Sequence, residues 1–258
     1  MSVFRKHRPD APAGFFAAEA AGLRWLAEAE PGGGARVVRV ADVGEGWIEL
    51  ERVEEARASR EAASAFGAAL ARTHVAGAAG FGARPDGWNG PIFIGRRELP
   101  VGPETGSWGL FYARDRVEPY LDVAVRAGDL GPRDERDARA ACALIRTGAF
   151  DDDEPPARLH GDLWNGNVLW TAAGVVIIDP AAHGGHRETD LAMLALFGAP
   201  YLDDIVAGYE RERPLRAGWR DRVPLHQLHP LAVHAAGHGP AYGRALGEAA
   251  RAVLALAG

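Results

Sequence analysis

The sequence predicts an α+β protein: a small N-terminal α/β part followed by a large, mainly helical part. Three observations carry this. Residues 3–53 read as strand, helix and two strands in succession. From Ser59 onward most of the chain repeats apolar residues at three- and four-residue spacing. One island of strand signal, residues 157–179, interrupts the helical half and ends on a carboxylate. A chain of 258 residues can bury a sizeable core as one large domain or two unequal ones. The expected division falls at residue 53, giving parts 1–53 and 54–258.

Residues 3–6 end a short strand, and the two prolines of residues 8–13 make a loop. Over residues 14–30, Phe15, Phe16, Ala20, Leu23, Leu26 and Ala27 share a helix face, with Glu19 on the same helix, and Pro31-Gly32-Gly33-Gly34 stops it. Residues 36–43 and 46–53 alternate about Gly44-Glu45 as an antiparallel pair. A linker at 53–57 leads to a helix over 59–74, where His74 is a packing or capping histidine. Residues 76–107, rich in Gly and Pro, form a loop long enough to be functional, and it could cover the acceptor side of a cleft. Helices follow at 108–127 and at 132–147, the second with Pro132 in its first turn. Asp151-Asp152-Asp153-Glu154 before two prolines reads as a solvated acidic loop. Thr189 or Asp190 is placed to cap a helix reaching Phe197. Residues 202–209, 219–238 and 241–257 are mostly helical.

Composition narrows the function. At 47% hydrophobic and 25% charged residues the chain is ordinarily globular. A formal charge of −6 leaves no basic footprint for nucleic acid or an anionic membrane. The single cysteine, Cys142, excludes an intrachain disulfide. No segment approaches the roughly 20 apolar residues that span a bilayer, and the first residues turn polar before a signal-peptide core forms. A small-molecule role in the cytoplasm is expected, as a monomer or homodimer.

The chemistry concentrates in the strand island. An apolar run enters His160-Gly161-Asp162-Leu163-Trp164-Asn165-Gly166-Asn167, a second leaves it, and a third, Val175-Val176-Ile177-Ile178, ends at Asp179. Two carboxylates and an amide oxygen at one sheet edge suit Mg²⁺, with phosphate oxygens completing its shell. The spacing repeats the kinase arrangement of a loop Asp that orients the hydroxyl, an Asn five residues on, and an Asp beyond a hairpin. Of 29 Lys and Arg residues, Lys6 is the sole lysine in an Arg-rich chain, which suggests a role that a guanidinium cannot fill. Strand, helix, two strands is also the order of the later part of a kinase small lobe, and Lys6 and Glu19 fall where its phosphate-holding ion pair falls.

These residues carry a family resemblance over nearly the whole chain. Val3-Phe4-Arg5-Lys6, Glu19-Ala20-Ala21-Gly22-Leu23, Ile48-Glu49-Leu50-Glu51, the 108–116 segment, the 160–167 loop, Asp179-Pro180, the run from Gly185 to Ala192, Phe197-Gly198, Pro214-Leu215 with Gly218-Trp219, and His234 take part. The chain resembles the fructosamine kinase (ketosamine-3-kinase) family, in the aminoglycoside phosphotransferase-like branch of the protein-kinase-like fold. The resemblance implies a two-lobe fold whose small lobe is truncated here, and transfer of phosphate from ATP, with Mg²⁺, to the 3-hydroxyl of fructosamine or ribulosamine adducts of amines, small or protein-bound. It implies Asp162 as the catalytic base, Asn167 and Asp179 as metal ligands, and Lys6 braced by Glu19 on the phosphates. The backbone of Glu49, Leu50, Glu51 and Arg52 would meet the adenine, and Trp164, His186 and Trp219 are candidates for the acceptor pocket. The family also has a glycine-containing loop ahead of the lysine strand, so the expected start lies upstream of Met1; failing that, the chain would be a binding module of pseudokinase type.

Another small hydroxyl or amino-sugar acceptor, including an aminoglycoside, fits the same loop. A zinc hydrolase is prompted by His183 with His186 and by His234 with His238, but no Glu follows His234 as the helical zinc motif requires. No Gly-x-Ser-x-Gly elbow supports a serine hydrolase.

Overall fold

In the computed structural model, which describes residues 2–103 and 105–257, the first half runs β1 (Val3–His7), α1 (Phe15–Ala27), β2 (Arg36–Val37), β3 (Val40–Gly44), β4 (Trp47–Glu51), α2 (Arg60–Val75), β5 (Ile92–Ile94) and β6 (Arg97–Leu99). Then come α3 (Trp108–Phe111), a π-helical segment (Tyr112–Val117), α4 (Glu118–Ala127), α5 (Pro132–Arg146), β7 (Ala157–Leu159), β8 (Val168–Thr171), β9 (Gly174–Ile177) and β10 (His183–Gly185). Four helices close the chain: α6 (Glu188–Leu196), α7 (Leu202–Glu212), α8 (Trp219–Ala235) and α9 (Pro240–Ala255). Met1, on which the expectation about the start bears, lies outside the described residues.

The chain divides into two compact units. The first comprises the residues up to Ala79, Ala83–Leu99 and Pro156–Leu215; the second comprises Gly80–Gly82, Pro100–Pro155 and the residues from Arg216 on. Residues 2–53 lie wholly in the first unit, together with the strand island.

In the first unit β1, β4 and β3 form an antiparallel sheet in that order, with Lys6 opposite Ile48. The segment 36–43 is two strands, not the single one that its alternation suggests. Arg36 and Val37 pair in parallel with Val176 and Ile177 of β9, and only from Val40 does the chain join β4. Parallel pairing across 140 residues of chain leaves no local sequence signal. β8 and β9 form the expected hairpin, whereas β7 pairs with β10 across His183 and Leu159 in a separate ladder. One continuous core joins Leu23 and Leu26 of α1, Ile48 and Leu50 of β4, Phe66 and Leu70 of α2, and Val176 and Ile177 of β9. Ser59 caps α2 by accepting from Ala62 N at 3.1 Å. Helices α2 and α7 approach through Gly67 and Gly208, where an added Cβ would lie 1.8 Å from Ile205 O and 2.0 Å from Ser64 O.

The second unit is helical. The helix expected over 108–127 is interrupted because Pro119 cannot supply the N–H that would close an α-turn on Asp115 O. That carbonyl accepts instead from the Arg116 guanidinium at 3.2 Å. A similar gap occurs in α8, where Pro230 leaves His226 O without its donor four residues on. The buried Tyr112 hydroxyl lies 2.9 Å from His226 O and accepts from His229 N at 3.1 Å. Tyr112→Phe strands both groups and should cost about 1–3 kcal/mol, read as a lower urea midpoint; an unchanged midpoint would show that the hydroxyl contributes nothing net. The acidic loop is less solvated than its composition implies, because Asp151 Oδ1 accepts from Gly109 N at 2.7 Å and Asp152 pairs with Arg216 at 3.0 Å.

The 76–107 segment is not all loop. Ile92–Ile94 and Arg97–Leu99 pair as a short hairpin about Gly95-Arg96.

Candidate active site

The loop leaving β7 is held by one buried carboxylate. Asp190 Oδ2 accepts from His160 N at 2.8 Å and from His74 Nε2 at 3.1 Å, while Oδ1 accepts from Gly161 N at 3.0 Å. Asp190 therefore sits inside the first turn of α6 without capping it, and neither it nor Thr189 is the N-cap. Burial works against the charge, but the bonds from His74 and Gly161 and the nearby imidazoles hold its carboxyl below the usual range. His74 receives the Tyr209 hydroxyl on Nδ1 at 2.8 Å, so the helix-end histidine is a packing residue in a fully paired buried chain.

Gly161 takes φ +80°, and a Cβ there would lie 2.2 Å from Ala181 O, so the position tolerates only glycine. His160 donates from Nε2 to Ile178 O at 2.8 Å and accepts Asp162 N on Nδ1 at 3.2 Å. That pattern needs the neutral ring, in keeping with burial pushing its pKa down. The half-buried Asp162 follows. Burial raises its carboxyl to about 7, against the bond from Asn167, and the nearby charges of Asp179 and Asp190 add smaller upward pushes.

Asn167 closes the loop. Its Nδ2 donates to Asp162 O at 2.7 Å, to Asp162 Oδ2 at 3.3 Å and to Asp179 O at 3.4 Å. With the amide N–H groups committed, Oδ1 is the atom that Asn167 has left to offer a cation. Asp179 follows β9 in a left-handed conformation, φ +53°, rare for a residue with a side chain.

Lys6 joins this hairpin to the N-terminal sheet. Its ammonium bonds Glu19 Oε1 at 2.8 Å and also Asp179 Oδ1. Burial alone would lower its pKa; Glu19 and Asp179 outweigh that and raise it, so Lys6 stays charged. Glu19 moves upward because its burial and the charge of Asp179 exceed the help from Lys6. Lys6, Glu19, Asp162, Trp164, Asn167 and Asp179 line one cavity of about 500 Å³. Asn167 and Asp179 offer hard oxygen donors at its edge, a set that fits a divalent cation such as Mg²⁺.

A model of the family described as fructosamine kinase matches residues 1–255. The chain belongs to the fructosamine kinase family. An Enterococcus faecium protein assigned as a ketoamine kinase is 32% identical over 251 residues, covering 94% of this chain and 84% of that one. A Thermobifida fusca crystal structure assigned as a fructosamine-3-kinase is 46% identical, with a TM-score of 0.90 over 98% of this chain and 85% of that one. An aminoglycoside phosphotransferase solved with ADP and hygromycin B is 14% identical, with a TM-score of 0.61 over 92% of this chain and 82% of its own. The fold is thus α+β and of the protein-kinase-like type, as the sequence leads one to expect, and the chain is an ATP-dependent kinase.

Of the remaining candidate residues of this fructosamine kinase family member, Trp164 lines the cavity and the others lie elsewhere. Glu49, Leu50, Glu51 and Arg52 run along β4 and its end and do not line the cavity. Glu49 pairs with Arg5 and Glu51 with Arg36; Leu50 is in the core; Arg52 N donates to Ser2 O at 3.0 Å and Glu51 N to Arg39 O at 2.8 Å. His186 is buried and accepts Glu188 N at 3.2 Å. Trp219 begins α8 in the second unit, with the Arg220 guanidinium 4.5 Å from its ring. Trp164 is 41% exposed at the cavity, its ring edge-on to Phe197 at 6.1 Å. The structure adds wall residues: Arg8 and Ile92 to Gly95 of the β5–β6 hairpin, which no periodicity marks, and Phe15, which the helix periodicity marks only as an apolar face residue. Part of the 76–107 segment thus lines the cavity.

Proposed function

We propose that this cavity transfers the γ-phosphoryl group of ATP to the 3-hydroxyl of ketosamines, the fructosamine and ribulosamine adducts of amines. The observation that carries the reading is the Lys6 ammonium bonded to both Glu19 and Asp179 in the same cavity as Asp162 and Asn167. The Asp162 carboxylate accepts the proton of the 3-hydroxyl as its oxygen bonds to the γ-phosphorus, the bond from that phosphorus to the bridging oxygen breaks, and ADP departs. A carboxyl raised to about 7 is well matched to a hydroxyl proton near neutral pH. Lys6, held by Glu19, positions the α- and β-phosphates, and residues 1–53 supply the nucleotide side. Mg²⁺, held by Asn167 and Asp179, would neutralise charge on the phosphates. Positioning and charge neutralisation supply most of the acceleration in such a reaction.

No helix among the described residues is long and apolar enough to cross a membrane. A cytoplasmic monomer or homodimer acting on small or protein-bound ketosamines is the corresponding cellular reading.

The test compares ADP release with fructosyl- and ribulosyl-amines, free fructose and ribose, and an aminoglycoside, at matched ATP and Mg²⁺. Turnover confined to the ketosamines, with a 3-phosphate product by phosphorus NMR, is expected. Turnover on the aminoglycoside alone would transfer the site to an antibiotic kinase, and none on any acceptor would leave only a nucleotide-binding module.

A further inference from the structure

We propose that Arg8 is a second phosphate-binding cation of this site, taking non-bridging oxygens of the triphosphate that Lys6 holds. The inference rests on the ATP-dependent reading above. Strand geometry carries the first step. Arg8 N donates to Gly46 O at 2.8 Å, continuing the β1–β4 ladder by one residue beyond the pairing of His7 with Trp47. Alternation then returns Arg8 to the face that carries Lys6, roughly 6.5 Å farther along the strand. Both residues line the cavity with Asp162, Asn167 and Asp179.

Charge carries the second step. Lys6 is shared between two carboxylates, and the cavity wall as a whole sets Lys6 and Arg8 against Glu19, Asp162 and Asp179. Without Arg8 a polyanionic triphosphate would meet one cation against three carboxylates, so a second cation on this wall matters to its binding. Arg8 is that cation: among the described residues no carboxylate lies within ion-pair distance of it, although its charge reaches Glu19. Its guanidinium sits 5.0 Å from the centroid of the Phe15 ring, another wall residue. Contact with an aromatic ring orients a guanidinium while leaving N–H groups free for phosphate oxygens.

The experiment measures ATP and adenosine binding by calorimetry in the presence of Mg²⁺, with steady-state kinetics, for the wild type, Arg8→Gln, Arg8→Lys and Lys6→Met. Arg8→Gln should weaken ATP about tenfold and leave adenosine unchanged. It should raise KM for ATP and leave KM for the ketosamine alone, while Arg8→Lys should recover part of the loss. Lys6→Met, which removes the doubly paired ammonium, should weaken ATP by more. If the wild type binds ATP and Arg8→Gln and Arg8→Lys bind it equally well, or if the ketosamine KM rises instead, the role of Arg8 is overturned and the kinase reading stands. If the wild type binds no ATP, the kinase reading falls and the role of Arg8 falls with it. Should Arg8→Gln fail to fold, Arg8→Lys decides: ATP binding and KM equal to the wild type, with no sensitivity to the change from fork to point charge, overturn the proposal.

Discussion

Asp162→Asn is expected to cut acceptor-dependent turnover by about 10²–10⁴-fold, while leaving the metal-free protein at least as stable as the wild type above pH 7. The two effects share one cause. Burial raises the Asp162 carboxyl from 3.8 to about 7. Between those values the folded protein holds a proton that the unfolded chain has released, so the group's contribution to stability declines as pH rises through that window. The base needed for catalysis is the form that the folded state resists. Asparagine cannot ionise; it removes both the base and the decline, and its amide oxygen can still accept from Asn167 Nδ2 as Asp162 Oδ2 does. Urea midpoints at pH 5 and pH 8 in chelator, with kcat at pH 8, decide the matter. The gap in midpoint between variant and wild type should move in the variant's favour between the two pH values. Wild-type kcat/KM should rise with pH as this carboxyl ionises, with Mg²⁺ beside Asp179 drawing the rise below the metal-free value of about 7. Turnover within tenfold of the wild type would remove Asp162 from the role of base, and a gap independent of pH would show that its carboxyl titrates normally.

What the sequence made legible follows the range of the interactions involved. The helix faces of α1 and α2 are periodic and mark the residues that meet in the core, such as Leu23 and Phe66. The strand island is legible because its alternation is short-range and its polar residues are dense. Lys6 and Glu19 were placed by element order, and the structure brings them within 2.8 Å. What escaped depends on partners distant in the chain. Arg36 and Val37 are indistinguishable from the start of β3 until β9 lies beside them. β10 is three residues of His and Gly whose strand character comes from β7. The three-residue arms of the β5–β6 hairpin are lost in a Gly- and Pro-rich segment. Arg8 follows a strand end and precedes a proline, so nothing local separates it from a loop arginine. Asp190 carried a helix-start signal that pointed to the wrong partner, because its acceptors serve the backbone of a loop 30 residues earlier.

Asp190 should accordingly be the residue whose loss is felt most in stability. Asp190→Ala leaves His160 N, Gly161 N and the Nε2–H of His74 buried without an acceptor. Stranded groups of this kind cost about 1–3 kcal/mol each, and the sum rivals the 5–15 kcal/mol that typically holds a domain together. Extensive unfolding at 37 °C, or a urea midpoint shifted by about 3–5 kcal/mol, is expected. Asp190→Asn keeps one acceptor oxygen and should fall between the alanine variant and the wild type. pH provides an independent check, with the opposite sign to that of Asp162. The Asp190 carboxyl is held below 3.8, so its contribution is complete above the unfolded-state value and is lost as pH falls through the folded one. The wild type should therefore show an acid-unfolding limb below about pH 4 that is shallower in Asp190→Asn. Because the same carboxylate fixes Gly161, the residue before Asp162, folded Asp190→Asn should also lose kcat more than it gains KM for ATP. A midpoint for Asp190→Ala within about 1 kcal/mol of the wild type would mean that the loop is held by the β7–β10 ladder alone.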